Sequence, residues 1–332
     1  MFKRVLVTGG GGYKGHVLVP KLLNRGCEVV VYDLFLFGNF LQPHPKLTIA
    51  KEDLRDTAAY RKAVAGCDAV IHMGCISNDP SFELDSALSK SVNYDCFEPL
   101  VIASKEAGVR RFINVSSSSV YGVSDAPEVT EEHPLVPLTE YNKYKGLCEP
   151  LLWKHQSPSF VCVTIRPATV CGYSPRMRFD LTVNILTNHA VNKGVITVFG
   201  GTQKRPNIHV EDVTDLYVQL LDYPDAKIAG ETFNAGYENF TVMQLAEFVK
   251  KIVEQEFPEK APIKITTTPT NDNRSYHVSS RKIAEKLGWK PRRSIEDAVR
   301  DLCAAFKAGK FKDSMTNPEY VNVRTVKSLG LK

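Results

Sequence analysis

No two cysteines in this 332-residue chain stand at C-x-x-C spacing. The eight thiols, Cys27, Cys67, Cys75, Cys96, Cys148, Cys162, Cys171 and Cys303, are scattered, mostly in apolar segments. That pattern speaks against a disulfide framework and for reduced, buried thiols in a cytoplasmic protein. No apolar stretch approaches the ~20 residues that span a bilayer, so no membrane role is expected. The opening "MFKRVLVTGG" has a short apolar run that ends in glycines, which suits a first β-strand better than a signal peptide. Basic runs with interleaved aromatics are missing as well. The net charge of +5 is modest for this length and suits weak attraction of anionic small molecules rather than a nucleic-acid surface. Asn114, Asn239 and Asn273 open N-x-S/T triplets, which without secretion are chance matches. No internal repeat, low-complexity linker or His-Glu-x-x-His metal motif occurs.

What is present is an alternation. Short β-branched runs at 3–8, 27–33, 46–50, 67–73, 110–116 and 160–167 read as strands. Between them lie helical patterns at 14–25, 57–65, roughly 88–107 and from about Tyr141 onward. This order predicts an α/β fold, a Rossmann-type doubly wound parallel sheet. After Pro167 the alternation loosens into helices at 181–193, 211–222, 241–256, 280–287 and 294–308. Strands are expected at 195–199, near "TFNAG" and at "IKITTT". The expected organisation is a dinucleotide-binding domain over 1–167 with returning segments near 205–236. A smaller C-terminal α+β substrate lobe would take 168–204 and 237–310, leaving 311–332 as a tail with no assigned role.

"TGGGGYKG" (8–15) sits between the first strand and the first helix. Gly9, Gly12 and Gly15 fit Gly-x-x-Gly-x-x-Gly, and Gly10, Gly12 and Gly15 fit Gly-x-Gly-x-x-Gly. A glycine run can be a plain tight turn. Placed between strand and helix, it predicts a turn that lets backbone approach a pyrophosphate at a helix N-terminus. No Gly-Lys-Ser/Thr follows, which excludes a P-loop. Asp33 closes the second strand, 18 residues after Gly15; a carboxylate there accepts from ribose hydroxyls and favours NAD over NADP. Asp53, past the third strand, is a weaker candidate for the adenine amine.

"EYNKYKG" (140–146) puts Tyr141 and Lys145 four residues apart, on one face of a helix. A phenol titrates near 10 and is a poor base at neutral pH. A nearby ammonium and an oxidised nicotinamide would favour the phenolate, and lowering its pKa by ~3 units needs ~4 kcal/mol.

Together "TGGGGYKG", Asp33, "SSSSVYG" (116–122) and "YNKYK" resemble the extended short-chain dehydrogenase/reductases, the NAD-dependent nucleotide-sugar epimerase/dehydratase family. The likeness runs on into "RPNIHVEDV" (205–213) and "NRSYHVSSRKIAEKLGWKP" (273–291). The resemblance implies a catalytic triad of Ser117, Tyr141 and Lys145, with Tyr141 as acid/base, Lys145 orienting the cofactor ribose and Ser117 relaying a proton. It implies NAD contacts at Gly9, Gly12, Tyr13, Lys14, Gly15, Asp33, Leu34, Asp53, Leu54, Met73, Gly74, Asn93, Tyr141, Lys145 and Pro167. Substrate contacts are implied at Ser77, Asn78, Ser117, Ser118, Thr169, Asn184, Arg205 and Arg274, the two arginines near a sugar-nucleotide pyrophosphate. His209 and Asp212 are expected to be structural. No metal is implied, and a homodimer through the helices near 88–107 and 141–156 is.

In the dehydratase branch the two residues after the catalytic hydroxyl are typically Asp-Glu; here Ser118 and Ser119 cannot supply that acid/base chemistry. The resemblance therefore favours a nucleotide-sugar 4-epimerase acting on a nucleotide-diphosphate sugar. The alternative is a C4 dehydrogenase or reductase of the same family, with a 4,6-dehydratase or a non-catalytic NAD sensor further behind. Thr169 and Cys171 replace a common Asn and Tyr, and Lys14 stands where an apolar residue is usual. "SPRMRFDLTVN" (174–184) loosely resembles a branch that includes heptose-nucleotide oxidising enzymes.

Overall fold

The computed structural model describes residues 2–124, 126–270, 275 and 277–330. The chain opens with β1 (Arg4–Thr8), α1 (Gly15–Asn24), β2 (Glu28–Tyr32), β3 (Leu47–Ala50), α2 (Thr57–Val64) and β4 (Ala69–His72). Three helices follow, α3 (Asp79–Phe82), α4 (Ser86–Lys90) and α5 (Phe97–Glu106), with a π-helical turn at Ser91–Asp95 between the last two. Then come β5 (Arg111–Val115), α6 (Glu140–Trp153), β6 (Val161–Pro167), β7 (Thr169–Cys171) and α7 (Thr182–Lys193). Next are β8 (Val195–Phe199), β9 (Lys204–His209), α8 (Val210–Gln219), α9 (Asp225–Ile228), β10 (Glu231–Ala235) and β11 (Glu238–Thr241). The chain closes with α10 (Val242–Glu256), β12 (Lys264–Thr268), α11 (Arg281–Leu287), α12 (Ile295–Lys307) and α13 (Asn322–Leu329).

Seven strands form one sheet in the order β10-β6-β5-β4-β1-β2-β3, and every neighbouring pair is parallel. Alternate residues of each strand point to opposite faces. Val5, Val7, Val29, Val31 and Ile113 pack with Leu18 and Leu22 of α1 and Leu216 and Tyr217 of α8. Leu6, Val30, Tyr32, Val70 and Phe112 pack on the other face with Tyr60 of α2, Leu100 of α5 and Leu152 of α6. Helices cover both faces, which is why these strands read as unbroken apolar runs. A third cluster, with Val183, Leu186, Ile196, Leu245, Val249 and Val299, gathers α7, β8, α10 and α12. Beside it, β7, β9 and β11 make a small sheet and β8 pairs with β12.

Strand order reverses between β1 and β4, so the crossovers on either side of β1 diverge and leave a crevice at the strand C-termini. The glycine turn leaves β1 at this point.

Two expectations need correction. The single helix expected over 88–107 is α4, the π-helical turn and α5. Pro99 cannot donate to the carbonyl of Asp95, and its ring crowds it, so the ladder widens just ahead of it. The tail also has a place: α13 and a 3₁₀ turn at Pro318–Tyr320 pack back on the molecule and bury Asn322, Thr325 and Val326. Among the described residues no helix is long and apolar enough to cross a membrane.

Candidate active site

A cleft of about 290 Å³ follows the C-terminal ends of the main-sheet strands. Its floor is the turn between β1 and α1. Gly9 has φ +70°, and a Cβ there would sit 2.7 Å from the Gly74 backbone nitrogen. At Gly15 a Cβ would overlap the Gly10 carbonyl. Gly12 differs: a Cβ would approach only the Gly9 oxygen, at 3.2 Å, and otherwise fill the cleft that Gly12 lines. The bare backbone is therefore a cradle at the start of α1, the positive end of the helix, where an anion can approach closely.

Asp33 follows β2 and accepts from the N–H groups of Phe35 (2.6 Å) and Gly11 (2.9 Å). Burial pushes its carboxyl up, and those two bonds oppose the shift. Leu34, Leu54 and Asp53 line the same end of the cleft. A side-chain bond from Arg55 (2.7 Å) holds Asp53 below its usual range. Across the crevice Met73 and Gly74 donate backbone N–H to Thr8 Oγ1, at 3.2 and 3.1 Å.

At the other end α6 presents Tyr141 and Lys145 to the cleft, one turn apart. The helix begins there because the Thr139 side chain accepts from the Asn142 N–H. Lys145 is buried and donates from Nζ to the Val115 carbonyl at 3.0 Å. Burial pushes the Tyr141 phenol well above its ordinary range, and the neighbouring Cys75 and Asp79 add to this. The cation that pulls it back is Arg178. Tyr144 stacks on Phe82, 5.7 Å between ring centroids, behind the site.

Ser117 lines the cleft and caps the 3₁₀ turn Ser118–Tyr121. Its Oγ lies 2.7 Å from Ser119 Oγ, which donates to Asn142 Oδ1 at 2.5 Å. The Ser119 proton is thus committed, so Ser117 is the donor to Ser119, and its Oγ also accepts from the Ser119 N–H at 3.2 Å. Ser118 is buried beneath the turn. Ser116 donates to Glu149, which also accepts from Arg166. Among the described residues lining the cleft, the carboxylates are Asp33, Glu52 and Asp53, all at the end away from α6.

Other predicted residues fall beside the cleft rather than on it. Asn93 holds both polar groups of the Ile76 backbone with its side chain. Asn78 donates to Asp180 at 3.0 Å and caps α3. Asn184 is fully buried, accepting from Gly172 N and donating to the Arg178 carbonyl and Tyr13 Oη. Thr169 opens β7 opposite Asn207. Arg205 is buried on β9 and donates to the Lys204 carbonyl. Arg274 lies outside the described residues. Ser77, Pro167, Tyr13 and Lys14 do line the cleft. Burial and the Lys145 charge push the Lys14 amine down to about 7. His209 caps α8, and Asp212 accepts from the backbone of Arg292 and Arg293.

Among the cleft-lining residues absent from the predicted set are Arg176, Arg178 and Asn322. Arg178 pairs with Asp180 at 2.8 Å, and Asn322 donates to Ser77 Oγ at 2.8 Å. The alternate arginines of "PRMRFD" directly after a strand were a legible signal. Asn322 had none.

Residues 5–236 match the NAD dependent epimerase/dehydratase family. The chain belongs to that family. Membership makes it an enzyme with NAD as cofactor, and the glycine cradle, Asp33 and the strand-end crevice fit that group. A UDP-glucose 4-epimerase of Lactobacillus helveticus is 27% identical over 317 residues, 89% of this chain and 94% of the relative. UDP-glucuronic acid decarboxylase 1 of Arabidopsis thaliana is 26% identical over 92% of this chain and 70% of its own length. Among solved structures, a Thermotoga maritima UDP-glucose 4-epimerase with UDP-glucose superposes with a TM-score of 0.82. It is 23% identical and covers 92% of this chain and 99% of its own, a likeness of fold. Family members thus share the architecture while their named reactions differ.

Proposed function

We propose that this family member is a nucleotide-sugar 4-epimerase. The observation that carries the reading is the composition of one cleft: Ser117, Tyr141 and Lys145 line it together with the glycine turn, and its only described carboxylates lie at the far end. When bound, NAD supplies the acceptor and donor of hydride for the sugar carbon. Tyr141 takes the proton of the sugar hydroxyl and returns it. Ser117 turns its O–H from Ser119 to donate to the same sugar oxygen, Lys145 orients the cofactor ribose, and Arg178 is the cation that favours the phenolate. Elimination of water would need carboxyl acid/base groups in the cleft. Ser118 and Ser119 hold the sequence positions where the dehydratase branch carries them, and Asp79, whose charge Tyr141 feels, accepts from Thr139 and does not line the cleft. The substrate class is a nucleotide-diphosphate sugar, turned over in the cytoplasm. Two copies pair through α5 and α6, where Leu147 and Trp153 are exposed on α6; sizing by light scattering tests that point.

Incubation with UDP-, GDP-, dTDP- and CDP-sugars, with absorbance at 340 nm followed, tests the reaction. Epimer without accumulated NADH is the expected result. Stoichiometric NADH would overturn the reading in favour of a C4 dehydrogenase. Tyr141→Phe is expected to lower turnover by ~10²–10⁴-fold, the usual contribution of a general acid/base, while NAD binding survives.

A further inference from the structure

Arg176 stands on the loop between β7 and α7 with 2% of its surface exposed. One terminal nitrogen donates to Asn322 Oδ1 at 2.6 Å, and the guanidinium lies 3.9 Å from the centroid of the Phe37 ring. Its Nε is buried without a hydrogen-bond partner. Among the described residues no carboxylate comes within ion-pair distance of it, whereas Arg178, two residues on, is paired with Asp180. A buried guanidinium without a counter-ion is costly. Burial and the Arg178 charge both work against its protonation, down to about 9. Yet it lines the cleft that Gly12 and Asp33 also line, and its charge acts on the Asp33 carboxylate.

An arginine fork with a free donor suits a phosphate. Two diphosphates enter this cleft on the reading above, one from the cofactor and one from the sugar nucleotide. The neighbours of Arg176 choose between them. Asp33 at the end of β2 and His16 at the start of α1 both sense its charge, and these flank the glycine turn at the helix start where a dinucleotide sets its diphosphate.

We infer that Arg176 is a ligand for the NAD diphosphate, reaching it from the side opposite the glycine turn, with Asn322 of α13 as its positioning residue. The inference rests on the NAD assignment and is independent of which reaction follows. The last helix thereby becomes part of the cofactor site. The Phe179 N–H donates to the Tyr320 carbonyl, and the Asn322 N–H donates to Asp180, so the segment before α13 and the arginine loop are tied together. Phe179 also packs against the rings of Phe311 and Tyr320.

The test is calorimetric titration of the full, nucleotide-free chain with NAD⁺, ADP-ribose, adenosine and UDP. In Arg176→Met the Kd for NAD⁺ and for ADP-ribose is expected to rise about 10–100-fold, the size of one lost charged hydrogen bond. Adenosine, which has no phosphate, and UDP should bind as before. Arg176→Lys should recover part of the loss, and Asn322→Ala should show a smaller rise confined to NAD⁺ and ADP-ribose. Since Arg176→Met removes a buried charge, its melting temperature should not fall, and Arg176→Lys serves if it does. Unchanged NAD⁺ and ADP-ribose affinity in a folded Arg176→Met would overturn the inference. A loss seen with UDP alone would assign the arginine to the substrate instead, and an equal loss with adenosine would mark a distorted ribose site; either outcome overturns it too. No turnover is measured, so a failed epimerase assay leaves the result readable.

Discussion

At Ser117 the chain sets one hydroxyl against the cleft and uses its neighbours to aim it. Ser119 accepts its proton and passes its own to Asn142, which α6 carries next to Tyr141. Ser119→Ala removes that acceptor while leaving every cleft-lining group in place. A neutral hydrogen bond contributes about 1 kcal/mol, so kcat is expected to fall about fivefold with KM little changed in steady-state assays. Lys14 offers a second residue-scale test. Its amine titrates near 7, so it is largely neutral at pH 8.5 and charged at pH 6. Anionic ligands favour the charged form, and their affinity should strengthen as pH falls through 7. Titrating NAD⁺ at pH 6, 7 and 8.5 checks the sign, and Lys14→Met should flatten the profile.

Between elements the decisive contact is the buried pair that fastens α6 to β6. Glu149 accepts from Arg166 through both carboxylate oxygens, at 3.0 and 2.6 Å, and from Ser116 at 2.7 Å. Arg166 also donates to Tyr121 Oη, which donates to Asn234 on β10. Both members of the pair are buried, so removing one leaves an uncompensated charge. Glu149→Gln is expected to destabilise the protein by about 3–5 kcal/mol, read by urea denaturation. A double change to apolar residues of similar volume, Glu149→Leu with Arg166→Met, should recover much of that loss. The same pair sets the height of α6 on the sheet, and with it the placement of Tyr141 and Lys145.

For the whole molecule the sheet itself brings a pH dependence. His72 ends β4 in the core, its ring 2.9 Å from Thr8 Oγ1. Burial, with the Lys145 charge behind it, holds the imidazole down to about 3. An unfolded histidine takes its proton near 6.5. Above that pH both states are neutral and His72 carries no penalty. Below it the unfolded chain binds a proton that the folded protein refuses, so stability falls as pH drops from about 6.5 toward 3. The slope is up to about 1.4 kcal/mol per pH unit. His16, whose pKa is also lowered by burial, adds in the same direction. Unfolding free energies measured at pH 7.5, 6 and 5 should decline in that order, and His72→Gln should shallow the decline.

Local chemistry by itself determined the sheet strands, the glycine turn, Asp33 and the Tyr141/Lys145 face. Each is signalled by neighbours in sequence: β-branched runs, a glycine run set between a strand and a helix, and the 3.6-residue pitch of a helix. The four serines of 116–119 read alike along the chain, and only the fold separates them. Ser116 goes to Glu149, Ser117 to the cleft, Ser118 beneath the turn and Ser119 to Asn142. Helical periodicity across 88–107 concealed the π-helical turn, because the break lies in carbonyl geometry ahead of Pro99 and not in the apolar pattern. Asn184 offered a plausible ligand by type, yet it joins Gly172, Arg178 and Tyr13 once α7 is packed. Asn322 enters the cleft from 146 positions beyond Arg176. No local preference encodes that meeting. It exists because α13 folds back over the loop after β7, where buried polar groups must find partners wherever the chain can bring them.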